Sequence, residues 1–540
     1  MSQEEATRLR FRGHSTDELT QDVAVDSTSS QEIEDYDDGD QKTIDAIEKF
    51  RITFAKRINN EIDVITNDLV REIEEKKDGV DSTEINTRQY EKVFIPRQSV
   101  LTKLLEVSHF QTIYNIFVAL LIVIILNTVC LDLLEKGRID IEFEILTGSF
   151  NKLSTTISIW LAMLSTTLLV YPVFHHWAKH TNSFSFDIVW LLLYVAYLIA
   201  FLVIPAMYVT KHKLALASSM IVVTEQTRLM MKVHSFVREN ARSILNCRKS
   251  STIRDKSVCS EAKKVDLKHV ETTSQPFPGF SSYLYFLFCP SLIYRNEYPR
   301  TANICWSYVV TNFLQVIGCT MYIYYLYVRF CLPVFRTAGR ELANVKTYLK
   351  TIFSCVLPAT LMFLLAFFAI LHSWLNAFAE MLRFADRMFY EDWWNCKSFG
   401  NYYRTWNVVV HDWLYAYIYK DVVLLMYGDR RNRSTLAMLM VFFVSALFHE
   451  YIISVCLGFF YPILFVIFGG FGVLFIPLTQ RKSTRGWNIF IWLMLFFGCG
   501  LLLCLYCLEW YARSLCPPNP SAYWSYLLLP RSWTCTAWQE

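Results

Sequence analysis

The sequence has few charged residues. Of its 540 residues, 19% are Asp, Glu, Lys or Arg, whereas soluble domains usually carry about 25%. It is instead 53% hydrophobic and 16% aromatic, with a mean hydropathy of +0.26. Several apolar runs reach about twenty residues, the length that crosses a hydrocarbon core. The composition excludes an ordinary soluble domain and predicts an all-α polytopic membrane protein.

Other signatures are also missing. No basic stripe with spaced aromatic residues suggests a nucleic-acid partner, and no Gly-x-Ser-x-Gly elbow or zinc-spaced Cys/His cluster occurs. The first forty residues are polar, with the acidic run QEIEDYDDGD, and they lack the apolar region of a signal peptide. We therefore expect no metal, no nucleic-acid partner and a cytosolic N-terminal region.

The N-terminal part divides into two segments. Residues 1–40 have little to bury and are predicted to be a disordered cytosolic tail. Between 44 and 76, Ile, Leu and Phe recur at steps of three and four, which predicts an amphipathic helix within segment 41–80. That helix packs either against its own membrane domain or against a second copy. Residues 95–540 form the predicted membrane-embedded domain.

Apolar runs predict nine membrane spans. They cover residues 112–132, 156–173, 187–208, 214–231, 303–330, 351–376, 435–457, 461–478 and 488–508. The fourth contains Glu225 and Arg228, which lie three apart and can pair on one helical face. Counting it places the basic residues between 238 and 268 in the cytosol, as the positive-inside rule requires. The C-terminus is then lumenal, where Cys516 and Cys535 can form a disulfide.

One histidine lies deep inside an apolar run. His449 occurs in LAMLMVFFVSALFHEYIISVCLGFF, and an ionisable side chain at that depth usually faces a cavity or a partner. Desolvation favours the neutral imidazole, which can accept a proton. Ser445 shares its helical face, whereas the adjacent Glu450 points elsewhere. The alternative is a histidine that only satisfies a hydrogen bond within the bundle.

A second group of polar residues lies in NYYRTWNVVVHDWLYAYIYKD, residues 401–421. A continuous helix would place five side chains on one face: Tyr403, Asn407, His411, Tyr415 and Tyr419. Further donors and positive charge come from Asn401, Arg404 and Lys420. An interfacial aromatic belt explains the Tyr and Trp residues, but it does not explain an Asn and a His on the same face.

These residues together suit acyl transfer. A neutral intramembrane His can deprotonate a lipid-soluble hydroxyl, and an amide can hydrogen-bond a thioester carbonyl or its oxyanion. Cationic and aromatic side chains near the cytosol can hold a phosphorylated, adenine-bearing carrier. The predicted reaction moves an acyl group from a soluble activated donor to a membrane alcohol.

The stretch FYEDWWN, residues 389–395, has four aromatic residues and two carboxylates in seven positions. It resembles the FYxDWWN motif of the membrane-bound O-acyltransferase superfamily, which the sterol and diacylglycerol branches share. HSFVREN, FLFCPSLIYRNEYPRT, NYYRTWNVVVHDWLY and EWYAR resemble the sterol O-acyltransferase family. The resemblance covers roughly residues 95–535 and implies an acyl-CoA-dependent transferase that esterifies the 3-hydroxyl of a sterol.

The resemblance also implies roles for single residues. His449 matches the catalytic His and Asn407 the second active-site residue, while His109 falls at a sterol contact. An acyl-CoA tunnel would be lined by Asn401, Arg404, His411, Tyr419 and Ser445, with Tyr403 and Trp406 in the same stripe. The family has a Lys where this sequence has Arg433 or Ser434, and Arg433 could serve the same phosphate.

The family further implies an endoplasmic-reticulum protein with nine transmembrane helices. It would form dimers that pair into tetramers through an N-terminal helix, which favours an oligomerising role for segment 41–80. Its partners would be acyl-CoA, a sterol and membrane lipid, with acyl-CoA as co-substrate and no cofactor or metal. The alternatives are an enzyme for diacylglycerol, retinol or a long-chain alcohol, a transporter that uses His449, and an inactive sterol-binding scaffold.

We expect FYEDWWN at the cytosolic interface, with its Trp and Tyr residues in the headgroup layer, framing the acyl-CoA entrance. The motif residues of interest are Phe389, Tyr390, Asp392, Trp393, Trp394 and Asn395. Asp392 and Asn395 would hydrogen-bond the backbone and fix that entrance. The role of the motif is predicted to be structural, because its carboxylates and the phosphates of CoA repel each other.

Overall fold

The computed structural model describes residues 92–139, 142–180, 184–257, 278–338, 345–427, 429–480, 485–516 and 529–534. The predicted tail 1–40 and the helix within 41–80 lie outside these ranges, as does Cys535, so the Cys516–Cys535 disulfide stays a prediction. Regular structure in the described ranges is helical, with two isolated β-bridges between extended segments. The all-α prediction is confirmed.

The described chain is a series of helices of different lengths. Long helices cover Ser108–Lys136, Leu153–His180, Phe184–Lys211, Leu216–Ser257, Trp306–Leu326, Val345–Phe367, Arg430–Leu457 and Arg485–Leu515. Shorter helices cover Val100–Leu105, Phe143–Ser149, Phe280–Phe288, Leu332–Ala338, Leu375–Met381, Phe399–Thr405, Val408–Leu414, Lys420–Leu425, Gly472–Gln480 and Arg531–Thr534. Wider π-helical turns occur at Tyr327–Cys331, Phe368–Trp374, Tyr415–Tyr419 and Phe465–Phe471.

Seven helical stretches of the described chain are long and apolar enough to cross a membrane. They are Ser108–Lys136, Glu144–Lys179, Phe184–Lys211, Trp306–Arg336, Val345–Met381, Arg430–Leu457 and Gly486–Leu515. All nine predicted spans coincide with helices, but the fourth falls in Leu216–Ser257 and the eighth in the shorter Phe465–Thr479. The chain is a multi-pass membrane protein, while the count of nine and the orientation of its termini stay predictions.

The charged pair in the fourth predicted span forms as expected. Arg228 Nε donates to Glu225 Oε1 at 2.7 Å, and Trp160 Nε1 donates to the other carboxylate oxygen at 3.2 Å. Arg228 also donates to the carbonyl of Leu287 at 2.7 Å. Each charge therefore has a partner, which lowers the cost of placing it inside the bundle.

Two of the long helices approach closely at a glycine. A methyl group at Gly500, in Arg485–Leu515, would lie 2.9 Å from Val356 Cα in Val345–Phe367. At Gly498, two residues earlier in the same helix, nothing lies within 4 Å of such a methyl group. Gly500 thus lets the two backbones pack against each other.

We predict that Gly500→Ala lowers the free energy of unfolding by about 1–3 kcal/mol, because the methyl group must push two helices apart. Gly498→Ala is the matched control and should be neutral or slightly stabilising, since alanine favours a helix over glycine. Thermal unfolding of both purified variants in detergent measures the difference. Equal unfolding temperatures would contradict the close approach.

Candidate active site

The FYEDWWN aromatics are core residues. Phe389, Tyr390 and Trp393 are 1%, 0% and 3% exposed, and they belong to the largest hydrophobic cluster of the described chain. The predicted place of Tyr390 and Trp393 in the headgroup layer is wrong, because rings this buried have no surface left for lipid headgroups. Trp394 is half-buried. The buried rings of the motif therefore form an internal support, while its position at the acyl-CoA entrance stays a prediction.

Two polar residues of the motif, Asp392 and Asn395, bond to each other. Asn395 Nδ2 donates to Asp392 Oδ2 at 3.4 Å, and both side chains are exposed. The expected side-chain bonds to the backbone are not among the contacts of either residue in the described structure. The Asn395 backbone N–H does donate to the Asp392 carbonyl at 3.0 Å, which closes the short 3₁₀ turn Trp393–Asn395.

The motif clamps the turn that carries Asn407. The Glu391 N–H donates to the Thr405 carbonyl at 2.8 Å, and the Val408 N–H donates to the Phe389 carbonyl at 2.9 Å. These bonds hold the chain on both sides of Trp406 and Asn407. The rings add to the clamp, because Trp406 stacks on Phe363 at 4.7 Å and meets Trp393 edge-on at 4.7 Å.

The continuous helix predicted over 401–421 is wrong at this turn. One helix ends at Thr405 and the next begins at Val408. Asn407 has φ −142° and ψ 87°, and its side-chain Oδ1 accepts the Val410 N–H at 3.1 Å. Asn is among the best residues at such a cap position, which explains the break. The cap uses the amide oxygen and leaves the amide NH₂ as a donor.

The C-terminal part of the predicted stripe, from His411 to Tyr419, does lie on one face. His411 stacks on Tyr415 at 6.4 Å, and Tyr415 stacks on Tyr419 at 5.2 Å. The Tyr419 hydroxyl lies 2.7 Å from Ser434 Oγ. Next to it, Arg433 Nη1 donates to the Val423 carbonyl at 3.4 Å. This row therefore runs from the Asn407 turn to the start of the helix that carries His449.

The His449 ring is held in one tautomer when neutral. Its Nδ1 lies 2.7 Å from the Ser445 carbonyl oxygen, one turn earlier in Arg430–Leu457. A carbonyl oxygen only accepts, so Nδ1 carries the hydrogen and Nε2 presents its lone pair. The ring is accessible, although Phe442, Ala446 and Glu450 around it are buried. The ring is therefore not enclosed by the described protein.

Glu450 points away from His449, as predicted, and anchors a neighbouring segment. Its carboxylate accepts from the Tyr506 hydroxyl at 3.0 Å and from the Phe465 N–H at 3.1 Å. Phe465 begins the π-helical segment Phe465–Phe471, and Phe468 of that segment lies 5.3 Å from the His449 ring. The glutamate thus fixes the segment that packs on the histidine.

Tyr403 connects the two halves of the site. Its ring meets Phe442 at 5.0 Å and Phe468 at 5.3 Å, both edge-on. Phe468 therefore lies between Tyr403 and His449, so the helix before Asn407 and the His449 helix converge on one ring. Asn401 and Arg404 are exposed on that first helix. His109 is exposed at the start of Ser108–Lys136 and is not joined to these residues.

Sequence reasoning missed the support beneath Tyr390. His372 Nδ1 lies 2.8 Å from the Tyr390 hydroxyl, and Asn376 Nδ2 lies 3.4 Å from the same nitrogen. His372 is 5% exposed and lies in the π-helical turn Phe368–Trp374. A His and an Asn four apart in an apolar run were the available signal.

Within the described ranges, no three His, Cys, Asp or Glu side chains gather into a metal site.

Comparison with known proteins defines the class. The model of the membrane-bound O-acyltransferase family matches residues 177–508, a range that contains FYEDWWN, Asn407 and His449. This match covers more than half of the chain.

The similar proteins narrow the class. The chain is 46% identical over 451 residues to sterol O-acyltransferase 1 of Mus musculus, covering 82% of this chain and 79% of that protein. It is 44% identical over 449 residues to sterol O-acyltransferase 2 of Homo sapiens, covering 82% and 80%. The chain therefore belongs to the membrane-bound O-acyltransferase family and, within it, to the sterol O-acyltransferases.

The packing around Tyr403 gives a test of the site. A methyl group at Gly472 would collide with the Tyr403 hydroxyl, whereas nothing lies within 4 Å of one at Gly470. We predict that Gly472→Ala displaces Tyr403 and Phe468 and lowers acyl-transfer turnover about tenfold, because small misplacements near reacting groups are costly. Gly470→Ala should keep wild-type turnover. Equal rates of sterol ester formation by the two variants would show that this packing does not matter for the reaction.

Proposed function

We propose that the protein transfers a long-chain acyl group from acyl-CoA to the 3-hydroxyl of a sterol such as cholesterol, producing sterol esters for storage. Membership of the sterol O-acyltransferases supports the reaction and both substrates. One observation carries the mechanism: the Ser445 carbonyl holds His449 with Nε2 as its free lone pair. A general base needs that lone pair, and the ring is not enclosed by the described protein, so a hydroxyl can reach it.

In the proposed reaction, His449 Nε2 takes the proton of the sterol hydroxyl as its oxygen attacks the thioester carbon. The Asn407 NH₂ group donates to the thioester carbonyl oxygen as negative charge develops there. The carbon–sulfur bond then breaks, and the CoA sulfur takes the proton from the imidazolium. No covalent acyl-enzyme forms, because the alcohol itself is the nucleophile.

The stacked row His411, Tyr415 and Tyr419 is the proposed support for the CoA portion. Arg433 beside Ser434 and the exposed Arg404 on the preceding helix supply positive charge for phosphates. Asn401, Tyr403, Trp406 and Ser445 complete the proposed acyl-CoA path, and His109 is the proposed sterol contact. Trp406 acts as a wall, since its ring packs against Phe363 and Trp393.

The cellular setting is proposed from the family resemblance and the charge pattern. The protein would reside in the endoplasmic reticulum membrane, with a cytosolic N-terminus and a lumenal C-terminus. Segment 41–80 would join copies into dimers or tetramers. The Cys516–Cys535 disulfide would then lie on the oxidising side of the membrane.

We predict that His449→Ala lowers the rate of sterol ester formation about 10²–10⁴-fold, the usual contribution of a general base. The purified variant should keep its unfolding temperature, because the ring is exposed and its hydrogen bond is to a carbonyl of its own helix. His212→Ala, an exposed histidine at the end of another helix, is the matched control. The assay uses labelled oleoyl-CoA with cholesterol, diacylglycerol, retinol or a long-chain alcohol.

Two outcomes of that assay would contradict the proposal. Near wild-type turnover by His449→Ala would show that His449 is not the general base. Faster transfer to diacylglycerol, retinol or the alcohol than to cholesterol would show that a sterol is not the preferred acceptor. The proposed general-base mechanism would still stand in that case.

Asn407 has two roles that substitution can separate. Asn407→Asp keeps an oxygen to cap the helix, so the fold should be unaffected, but it removes the amide donor. We predict a loss of about 10²–10³ in turnover, the usual effect of deleting one oxyanion donor. Asn407→Ala should lose the same rate and also about 1 kcal/mol of stability from the missing cap. Wild-type turnover by Asn407→Asp, with sterol ester measured by thin-layer chromatography, would exclude the amide from the chemistry.

A further inference from the structure

An extended segment before the first helix lies against the motif. Arg97 pairs with the chain just before FYEDWWN: its N–H donates to the Ala385 carbonyl at 2.9 Å, and its carbonyl accepts the Arg387 N–H at 2.9 Å. Arg97 Nε also donates to Asp386 Oδ1 at 2.6 Å, and Asp386 is almost completely buried. We call residues Lys92–Ser99 the strap. Its backbone and its arginine anchor it to the support of the Asn407 turn.

The strap also reaches the helix that Asn407 caps. Lys92 Nζ lies 2.6 Å from Asp412 Oδ2, and each side chain is 23% exposed. The other oxygen of Asp412 lies 3.4 Å from His411 Nδ1. One carboxylate therefore links the strap to a residue of the proposed CoA row, and both it and His411 lie within five residues of Asn407.

The Asp412 carboxylate stays ionised near neutral pH. Burial raises the pKa of Asp412, but the hydrogen bond from His411 and the charge of Lys92 hold that pKa below its ordinary value. A lowered carboxyl pKa means that the pair's contribution to stability is complete above the ordinary pKa and is lost only as the pH falls through the lowered one. Turnover measured between pH 6 and 8 is therefore measured with the Asp412 carboxylate ionised.

Between the strap and the turn lies a small cavity. Its walls include Lys92 and Phe94 from the strap and Phe389, Val408 and Asp412 from the site. Phe94 packs on Phe384 and Tyr298 behind it. Close packing is thus interrupted on this side of Val408, and the Lys92–Asp412 pair spans the gap. Losing the pair would give the Asn407 helix room to shift.

We propose that the Lys92–Asp412 ion pair, anchored by Arg97 and Asp386, is a positioning contact that holds the Asn407 helix in register for acyl transfer. This inference rests on the proposed role of Asn407 at the thioester. Lys92 and Asp412 touch no reacting atom; they act through the helix that Asn407 caps. A partly exposed pair contributes little to overall stability, so its removal should affect turnover more than folding.

The test compares Lys92→Ala, Lys92→Asp and Lys92→Arg in the full-length protein. Lys92→Ala should lower kcat about fivefold, the rate equivalent of one partly exposed ion pair, with the KM for oleoyl-CoA and the unfolding temperature unchanged. Lys92→Asp should be slower still because it repels Asp412, and Lys92→Arg should restore the wild-type rate. Arg336→Ala, which removes the exposed Arg336–Glu142 pair elsewhere in the bundle, is the control and should have wild-type kcat.

A double-mutant cycle separates positioning from general damage. If the pair acts as a unit, Lys92→Ala combined with Asp412→Asn should be no slower than Asp412→Asn alone. Additive losses, a kcat of Lys92→Ala equal to that of Arg336→Ala, or a fall in unfolding temperature that accounts for the lost rate would each overturn the proposal. If Asn407→Asp is inactive while Lys92→Ala has wild-type kcat, the positioning role of the ion pair is wrong but the proposed role of Asn407 stands. If Asn407→Asp is fully active, the proposed role of Asn407 is wrong as well.

Discussion

The site depends on two backbone hydrogen bonds between FYEDWWN and the Asn407 turn. The Glu391 N–H binds the Thr405 carbonyl, and the Val408 N–H binds the Phe389 carbonyl. A turn between two helices has free backbone groups at both ends, and without partners it would adopt many conformations. The motif supplies those partners from a buried, aromatic support, so the position of one amide is set by a large part of the core. The motif therefore positions the Asn407 turn, which belongs to the proposed reaction site.

The second half of the site is held by a different device. His449 is oriented by a carbonyl of its own helix, and Glu450 next to it ties that helix to Phe465 and Tyr506. Phe468 then fills the space between His449 and Tyr403. Two of the four π-helical turns in the described chain, Phe465–Phe471 and Phe368–Trp374, border these residues or the FYEDWWN support, and such turns are common at functional sites. The wider turns place side chains where a regular α-helix would not.

Sequence reasoning predicted the helical class, the acyl-transfer chemistry and the pairing of Glu225 with Arg228, because apolar run length and charge spacing are local properties. It failed where a local sequence pattern was compatible with two different structures. The four-residue spacing from Tyr403 to Tyr419 fits a continuous helix, but Asn407 prefers a cap and breaks it. Aromatic residues beside carboxylates fit an interfacial belt, yet Phe389, Tyr390 and Trp393 fill the core. The Lys92–Asp412 contact joins residues more than three hundred positions apart, and the His372–Tyr390 contact joins the motif to a separate helical turn. The four-residue spacing of His372 and Asn376 was a local signal, but it did not indicate Tyr390 as the partner.

The central claim is that Asn407 and His449 face one thioester from two sides. A cryo-electron microscopy structure with a non-hydrolysable acyl-CoA analogue measures this directly. The account predicts that the acyl carbonyl oxygen lies about 2.7–3.2 Å from Asn407 Nδ2. It also predicts that His449 Nε2 faces the carbonyl carbon across a gap that admits one hydroxyl group. An analogue whose carbonyl lies beyond hydrogen-bond reach of Asn407, or a His449 ring whose Nε2 points away from the acyl group, would contradict it.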